Sequence, residues 1–192
     1  MKVTVLDGAA REDCAAARVR GALDACAAHR GWDVTRFFLP DLDIAPCAGD
    51  FKCWFEQPGI CAIGGVNRDI ARSMAGADLA VFLTPVTFGG YSYHLKKALD
   101  HLVPNISPLF AMINGEVHHK PRYEAYARLL AIGTEHRHDE DAETVFTTLL
   151  ERNAINMRAP AWSVMFALDA QSDPDVAVRL QAAVVQAAGE GA

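Results

Sequence analysis

Three groups of residues have types and spacings that could carry chemistry. The first is Pro85-Val86-Thr87-Phe88-Gly89-Gly90-Tyr91. Adjacent glycines let the backbone take torsions closed to other residues and approach a ligand without a Cβ in the way. The two aromatics beside them exceed what a turn requires. The second group is Cys47, Asp50, Cys53 and Cys61, in a stretch rich in glycine and proline. Five cysteines are an odd number, and without a secretory leader they read as thiols, able to ligate or to react, not as a disulfide framework. The third is the histidines of His118-His119 and of Thr134-Glu135-His136-Arg137-His138-Asp139-Glu140. In polar segments such histidines read as solvated, and no metal site is expected there.

Elements must hold these residues in place. The unbroken apolar run of residues 79–83 is too short for a helix and reads as a strand covered on both faces. Pro85 has no N–H to donate and stops the ladder. Ser92 then serves as an N-cap. Leu95, Ala98, Leu99 and Leu102 follow at helical spacing, with Lys96, Lys97 and Asp100 towards water. The unit is strand, glycine loop, helix.

The remaining chain repeats that unit. Residues 2–6 form a short strand, residues 8–13 a polar turn, and an alanine-rich helix runs from Cys14 until Gly31 ends it; its Cys14 and Cys26 read as buried helix positions. A second strand covers residues 34–39. Residues 41–65 read as one long irregular loop, a length usually kept for function. A helix is expected at 67–74, a second irregular insertion at 104–122, a fourth strand at 126–133, a helix at 139–157, a fifth strand at 162–168 and a closing helix at 174–188.

Five strands alternating with five helices predict an α/β three-layer sandwich, a parallel sheet with right-handed crossovers on both faces. At 192 residues, a single domain over 1–192 with the flavodoxin-like strand order 2-1-3-4-5 is expected. Ligands of such sheets sit outside the carboxyl ends of the first and third strands. Residues 8–16 should therefore face residues 85–91 across a crevice, with the loop after Gly133 as a third wall.

A formal charge of −6 with no basic stripe argues against a nucleic-acid or anionic-membrane partner. Asp7 interrupts the N-terminal apolar run too early for a secretory segment, and no stretch has the apolar length to span a bilayer. A cytoplasmic location is expected.

The stretches TPVTFGGYSYHLKKALDHLVP, CAGDFKCWFEQPGIC and VTVLDGAAREDCAAAR together resemble the flavodoxin-like NAD(P)H-dependent flavin mononucleotide (FMN) reductases, in the branch related to iron-sulfur flavoproteins. The resemblance implies that the loop after the first strand holds the FMN phosphate at a helix N-terminus, where free N–H groups and the helix dipole favour an anion. It maps this role onto Gly8, Ala9, Arg11, Asp13 and Ala16. Ala9 and Ala16 stand where the family has hydroxyls, leaving Arg11 as the evident side-chain partner. Asp13 as an ordinary N-cap is the competing reading of this loop. The resemblance places Pro85, Val86, Thr87, Phe88, Gly89, Gly90 and Tyr91 along the isoalloxazine edge, with Phe88 and Tyr91 as a flat apolar wall, and Thr134, Glu135 and His136 over the ring. The family's cluster-bearing branch uses four cysteines, and a cubane cluster needs four thiolates. Asp50 takes the place of one of them, so no iron-sulfur cluster is expected, and Cys53-Trp54-Phe55 is expected to pack near the flavin edge or across a subunit interface.

The function this implies is hydride transfer from NADH or NADPH through non-covalently bound FMN to a quinone, free flavin or other small acceptor, with no catalytic side chain required. A homodimer or homotetramer is expected, with the apolar residues Leu109, Phe110 and Met112 on an arm or lid. The alternative from another class is a flavodoxin-like protein whose degenerate phosphate loop binds no FMN and which serves as a ligand-binding or assembly module.

Overall fold

The computed structural model describes residues 1–113 and 115–188. Strands β1 (Lys2–Asp7), β2 (Asp33–Phe38), β3 (Leu79–Pro85), β6 (Arg128–Glu135) and β7 (Trp162–Leu168) form one parallel sheet in the order β2-β1-β3-β6-β7. Counting only these five strands, the order is 2-1-3-4-5, as expected for a flavodoxin-like α/β sandwich.

Period-two alternation in β3 builds both layers of the core. Leu79, Val81 and Leu83 face one apolar cluster, shared with Val19 and Leu23 of α1 (Cys14–Arg30) and Val176, Leu180 and Val184 of α6 (Asp173–Ala188). Ala80 and Phe82 face the other, shared with Ile70 of α3 (Val66–Ala75), Leu95 and Leu99 of α4 (Tyr93–Asp100), and Phe146 and Leu150 of α5 (Glu140–Asn156). Burial on both faces is what the unbroken apolar sequence requires. The helix ends also follow their chemistry. Gly31 closes α1 in the left-handed conformation, while Asp13, Ser92 and Asp139 cap α1, α4 and α5.

Several expectations need correction. Residues 41–65 contain a short helix, α2 (Lys52–Phe55). Residues 104–122 are not irregular: β4 (Ile106–Ile113) and β5 (Glu116–Pro121) pair as an antiparallel hairpin. Pro108 hid it, since a proline argues against a strand, yet it falls between Ile106 and Phe110, where the register shifts and no ladder N–H is needed. The second strand stops at Phe38 because residues 39–41 form a 3-10 turn. The fourth sheet strand starts at Arg128 because the Tyr126 hydroxyl is tied to the backbone of Arg122, Tyr123 and Asn105.

His118 is buried, not solvated; it bonds Asn156 and Glu116, and Glu116 also accepts from Arg152 of α5. Those contacts seat the hairpin on α5. Cys14 is exposed and Cys26 half-buried, contrary to their reading as core residues. Trp54 donates to the carbonyls of Val103 and Ile106 and stacks on Phe51, so the cysteine loop packs against the base of the hairpin.

Candidate functional site

The loops after β1 and β3 touch. Gly8 donates to the Leu83 carbonyl at 2.7 Å, and Ser92 donates its hydroxyl to the Gly8 carbonyl at 2.9 Å. A Cβ on Gly8 would stand 2.7 Å from that hydroxyl oxygen, so the approach requires glycine. Thr84 accepts from the Ser92 N–H and fixes the other end of the glycine loop.

Beside this contact, at the carboxyl ends of β3, β6 and β7, lies a crevice of about 400 Å³, within the range of small-molecule sites, roughly 300–1,000 Å³. Pro85, Val86 and Phe88 form its apolar wall, and Thr134, Glu135 and His136 come from the end of β6. Asp13 closes it from the start of α1. Seven of the residues expected from sequence are thus brought to one mouth. Thr87, Gly89 and Gly90 shape the same loop: Thr87 and Gly90 exchange both backbone hydrogen bonds at 2.9 Å. Gly89 has φ +71, and a Cβ there would lie 2.8 Å from Val145 of α5.

The other expected residues lie elsewhere. Tyr91 turns into the core, edge-on to Phe82 and Phe146, with its hydroxyl accepting from Asn153; burial pushes that phenol up to about 12. It supplies no wall. Gly8, Ala9 and Ala16 are buried, the two alanines with 0% exposure, and none of the three lines the crevice. Arg11 ion-pairs with Asp41 and lies over the Phe38 ring, 4.2 Å from its centroid, so the expected phosphate partner is already engaged. Asp7 is a buried carboxylate held by Arg20 at 2.8 Å, a partner with no signature in the sequence.

Asp13 bears out the capping reading and adds to it. Its Oδ1 accepts from the Ala16 N–H at 2.8 Å and its Oδ2 from the Thr134 hydroxyl at 2.6 Å. Phe88 is the reverse of Tyr91. It is fully exposed on the lip of the crevice with φ 50, a left-handed conformation that is an outlier for so bulky a residue.

Arg137, Asp139, Ala142 and Asp169 also line the mouth. Asp169 follows β7, and the rule that ligands gather at strand carboxyl ends could have found it. The mouth is rich in carboxylates. Burial, then the neighbouring Glu143 and Asp139, pushes the Glu135 carboxyl up to about 7. Hydrogen bonding to Asp169 raises His136, and hydrogen bonding to Glu143 raises His138.

The five-stranded parallel sheet with a crevice at its carboxyl edge is a flavodoxin-like α/β architecture. The sequence model of NADPH-dependent FMN reductases matches residues 1–169, and the chain belongs to that family. It is 28% identical over 114 residues to an iron-sulfur flavoprotein of Methanosarcina thermophila, covering 59% of each. It is 34% identical over 105 residues to an iron-sulfur flavoprotein of Methanocaldococcus jannaschii, covering 54% of this chain and 53% of the relative. The aligned part thus spans between half and three-fifths of these curated relatives. In fold it resembles NAD(P)H:quinone oxidoreductase from Methanothermobacter marburgensis, with a TM-score of 0.67, 12% identity and coverage of 98% and 96%.

The crevice suits a flavin in part. The wall of Pro85, Val86 and Phe88 fits a planar ring, and the Phe88 N–H has no hydrogen-bond partner among the described residues. The start of α1 suits a phosphate poorly, because the chain's own Asp13 carboxylate accepts the Ala16 N–H and faces the opening, setting a like charge against an anion there.

Proposed function

We propose that this chain is a flavin-dependent oxidoreductase that takes a hydride from NADH or NADPH and passes electrons to a small acceptor such as a quinone or a free flavin. Phe88 carries this reading. Folding alone favours neither a fully exposed phenyl ring nor a left-handed torsion at a bulky residue, which costs roughly 1–3 kcal/mol. A flat ligand stacked on that ring accounts for both. A bound flavin supplies the hydride and electron chemistry. The chain's residues hold and orient it: Val86 and Phe88 offer an apolar face, and Thr134 and His136, from the neighbouring strand end, line the same crevice. Glu135, whose carboxyl titrates near neutrality, can hold the proton that a reduced quinone needs.

The test is difference spectroscopy of the purified chain titrated with riboflavin and FMN, followed by stopped-flow reduction with NADPH. Saturable perturbation of the flavin spectrum and its bleaching by NADPH are expected, and an unchanged flavin spectrum overturns the reading. That second outcome favours the ligand-binding or assembly module, whose support is the carboxylate of Asp13 at the helix start.

We also propose that the chain is a homo-oligomer joined through the hairpin, where Leu109, Phe110, Met112 and Val117 are all exposed. Sedimentation of Phe110→Glu as a smaller species than the unaltered chain is the expected result. Nothing in the charge or the crevice supports a nucleic-acid partner, and among the described residues no helix is long and apolar enough to cross a membrane.

A further inference from the structure

The geometry points to a crevice that takes a flavin by its ring and rejects a phosphate, so that its preferred ligands are uncharged flavins of the riboflavin type rather than FMN. This deepens, and rests on, the flavin reading given above.

A phosphate monoester carries between one and two negative charges near neutral pH. In sheets of this kind the anion belongs at the start of the first helix, where unpaired N–H groups and the helix dipole receive it. Here a carboxylate of the chain itself already stands at that position and faces the crevice. The Asp13 side chain accepts the Ala16 N–H and the Thr134 hydroxyl through its two oxygens. Ala9 and Ala16 are wholly buried and offer no hydroxyl, so even their positions are closed to a ligand.

The nearby cations are committed as well. Arg11 pairs with Asp41. Arg20 binds the buried Asp7 and the carbonyls of Ala9 and Ala10, which turns it to the underside of the loop. Arg18 donates to the Asp169 carbonyl and pairs with Asp173. Three different arginines near one helix start are therefore each paired with a carboxylate of the chain itself.

What faces the ligand is acidic. Asp13, Asp139 and Asp169 line the mouth together with Glu135, only partly ionised near neutral pH, against Arg137 and a His136 bonded to Asp169 at 2.5 Å. A phosphate entering there meets a net negative field at close range, while an isoalloxazine ring meets Val86 and Phe88 and carries no charge. The ring and the phosphate are thus treated oppositely by the same site.

Competitive fluorescence titration of the full chain with riboflavin and with FMN tests this, at low salt and at about 0.5 M sodium chloride. Riboflavin is expected to bind at least as tightly as FMN, and salt is expected to tighten FMN relative to riboflavin by screening the repulsion. Asp13→Asn keeps the cap, since Asn caps as well as Asp, and should lower the ratio of the FMN to the riboflavin dissociation constant by about fivefold or more. FMN binding about tenfold tighter than riboflavin, salt weakening FMN selectively, or an unchanged ratio in Asp13→Asn each overturns this inference and leaves the flavin reading standing. Binding of neither flavin overturns both.

Discussion

The hydroxyl of Thr134 donates to the carboxylate of Asp13 across 2.6 Å, joining the end of β6 to the start of α1 over 121 positions of sequence. One carboxylate thereby serves as helix cap, loop tie and rim of the crevice. Its removal should be felt in the fold first. Asp13→Ala loses a cap, a change that costs roughly 0.5–2 kcal/mol, and it leaves Thr134 without its acceptor. A drop in melting temperature of about 2–4 °C per kcal/mol is expected by calorimetry, with Asp13→Asn close to the unaltered chain.

The buried pair behind that loop should matter more. Asp7 is wholly buried and takes two hydrogen bonds from Arg20, at 2.8 and 3.2 Å. Arg20→Ala strands the charge, and breaking such a pair costs roughly 3–5 kcal/mol. Urea unfolding of Arg20→Ala should show a midpoint lowered accordingly. The double replacement Asp7→Asn with Arg20→Met removes both charges, and it should recover much of the loss because an uncharged pair of similar volume is often tolerated. If the double variant is no more stable than Arg20→Ala, the loss stems from packing and not from an isolated carboxylate.

These two cases also show what was legible in the sequence. The strand β3 was plain because burial on both faces leaves an unbroken apolar run, and the glycine loop was plain because Gly89-Gly90 beside aromatics is costly without a use. The strand order followed from the alternation of elements. What could not be read were relations set by distant partners. Tyr91 and Phe88 stand three residues apart with similar side chains. Only the positions of Phe82, Phe146 and Asn153 decide that Tyr91 turns inward and Phe88 outward. Arg20 looks like any exposed helix residue until Asp7 is seen beneath it. Arg11, the one side-chain phosphate partner the resemblance implies, pairs with Asp41, 30 positions away, which no local pattern announces.

Phe88 separates stability from function. Glycine suits its φ of 50 far better than phenylalanine does. Relief of the left-handed strain, offset by the greater freedom of glycine in the unfolded chain, should leave Phe88→Gly as stable as the unaltered chain or more stable by up to about 1 kcal/mol. The same change removes the stacking surface, worth roughly 0.5–1.5 kcal/mol for an aromatic pair, so flavin affinity should fall by about tenfold or less. Thermal unfolding and flavin titration on one sample measure both. A variant that loses stability yet keeps its flavin affinity contradicts the role given to this ring.

Glu135 makes the stability of the fold depend on pH. Its carboxyl lies near 7 in the folded chain against an ordinary 4.5, raised first by burial and then by Glu143 and Asp139. Between those values the folded state binds more protons than the unfolded one, so stability falls as pH rises through that window and stays lowered above it. His138, raised by its bond to Glu143, acts in the same direction: its contribution is present below its unfolded value and is lost as pH climbs through the folded one. The two are separated by Glu135→Gln, which keeps the shape of the carboxyl and removes its titration, while His138 still faces Glu143 at 2.8 Å. Relative to the unaltered chain, Glu135→Gln should melt about 2 °C or more higher at pH near 8, with a smaller difference near pH 5. A difference of equal size at both pH values would mean that the carboxyl titrates normally. In that case it could not hold the proton assigned to it beside the crevice.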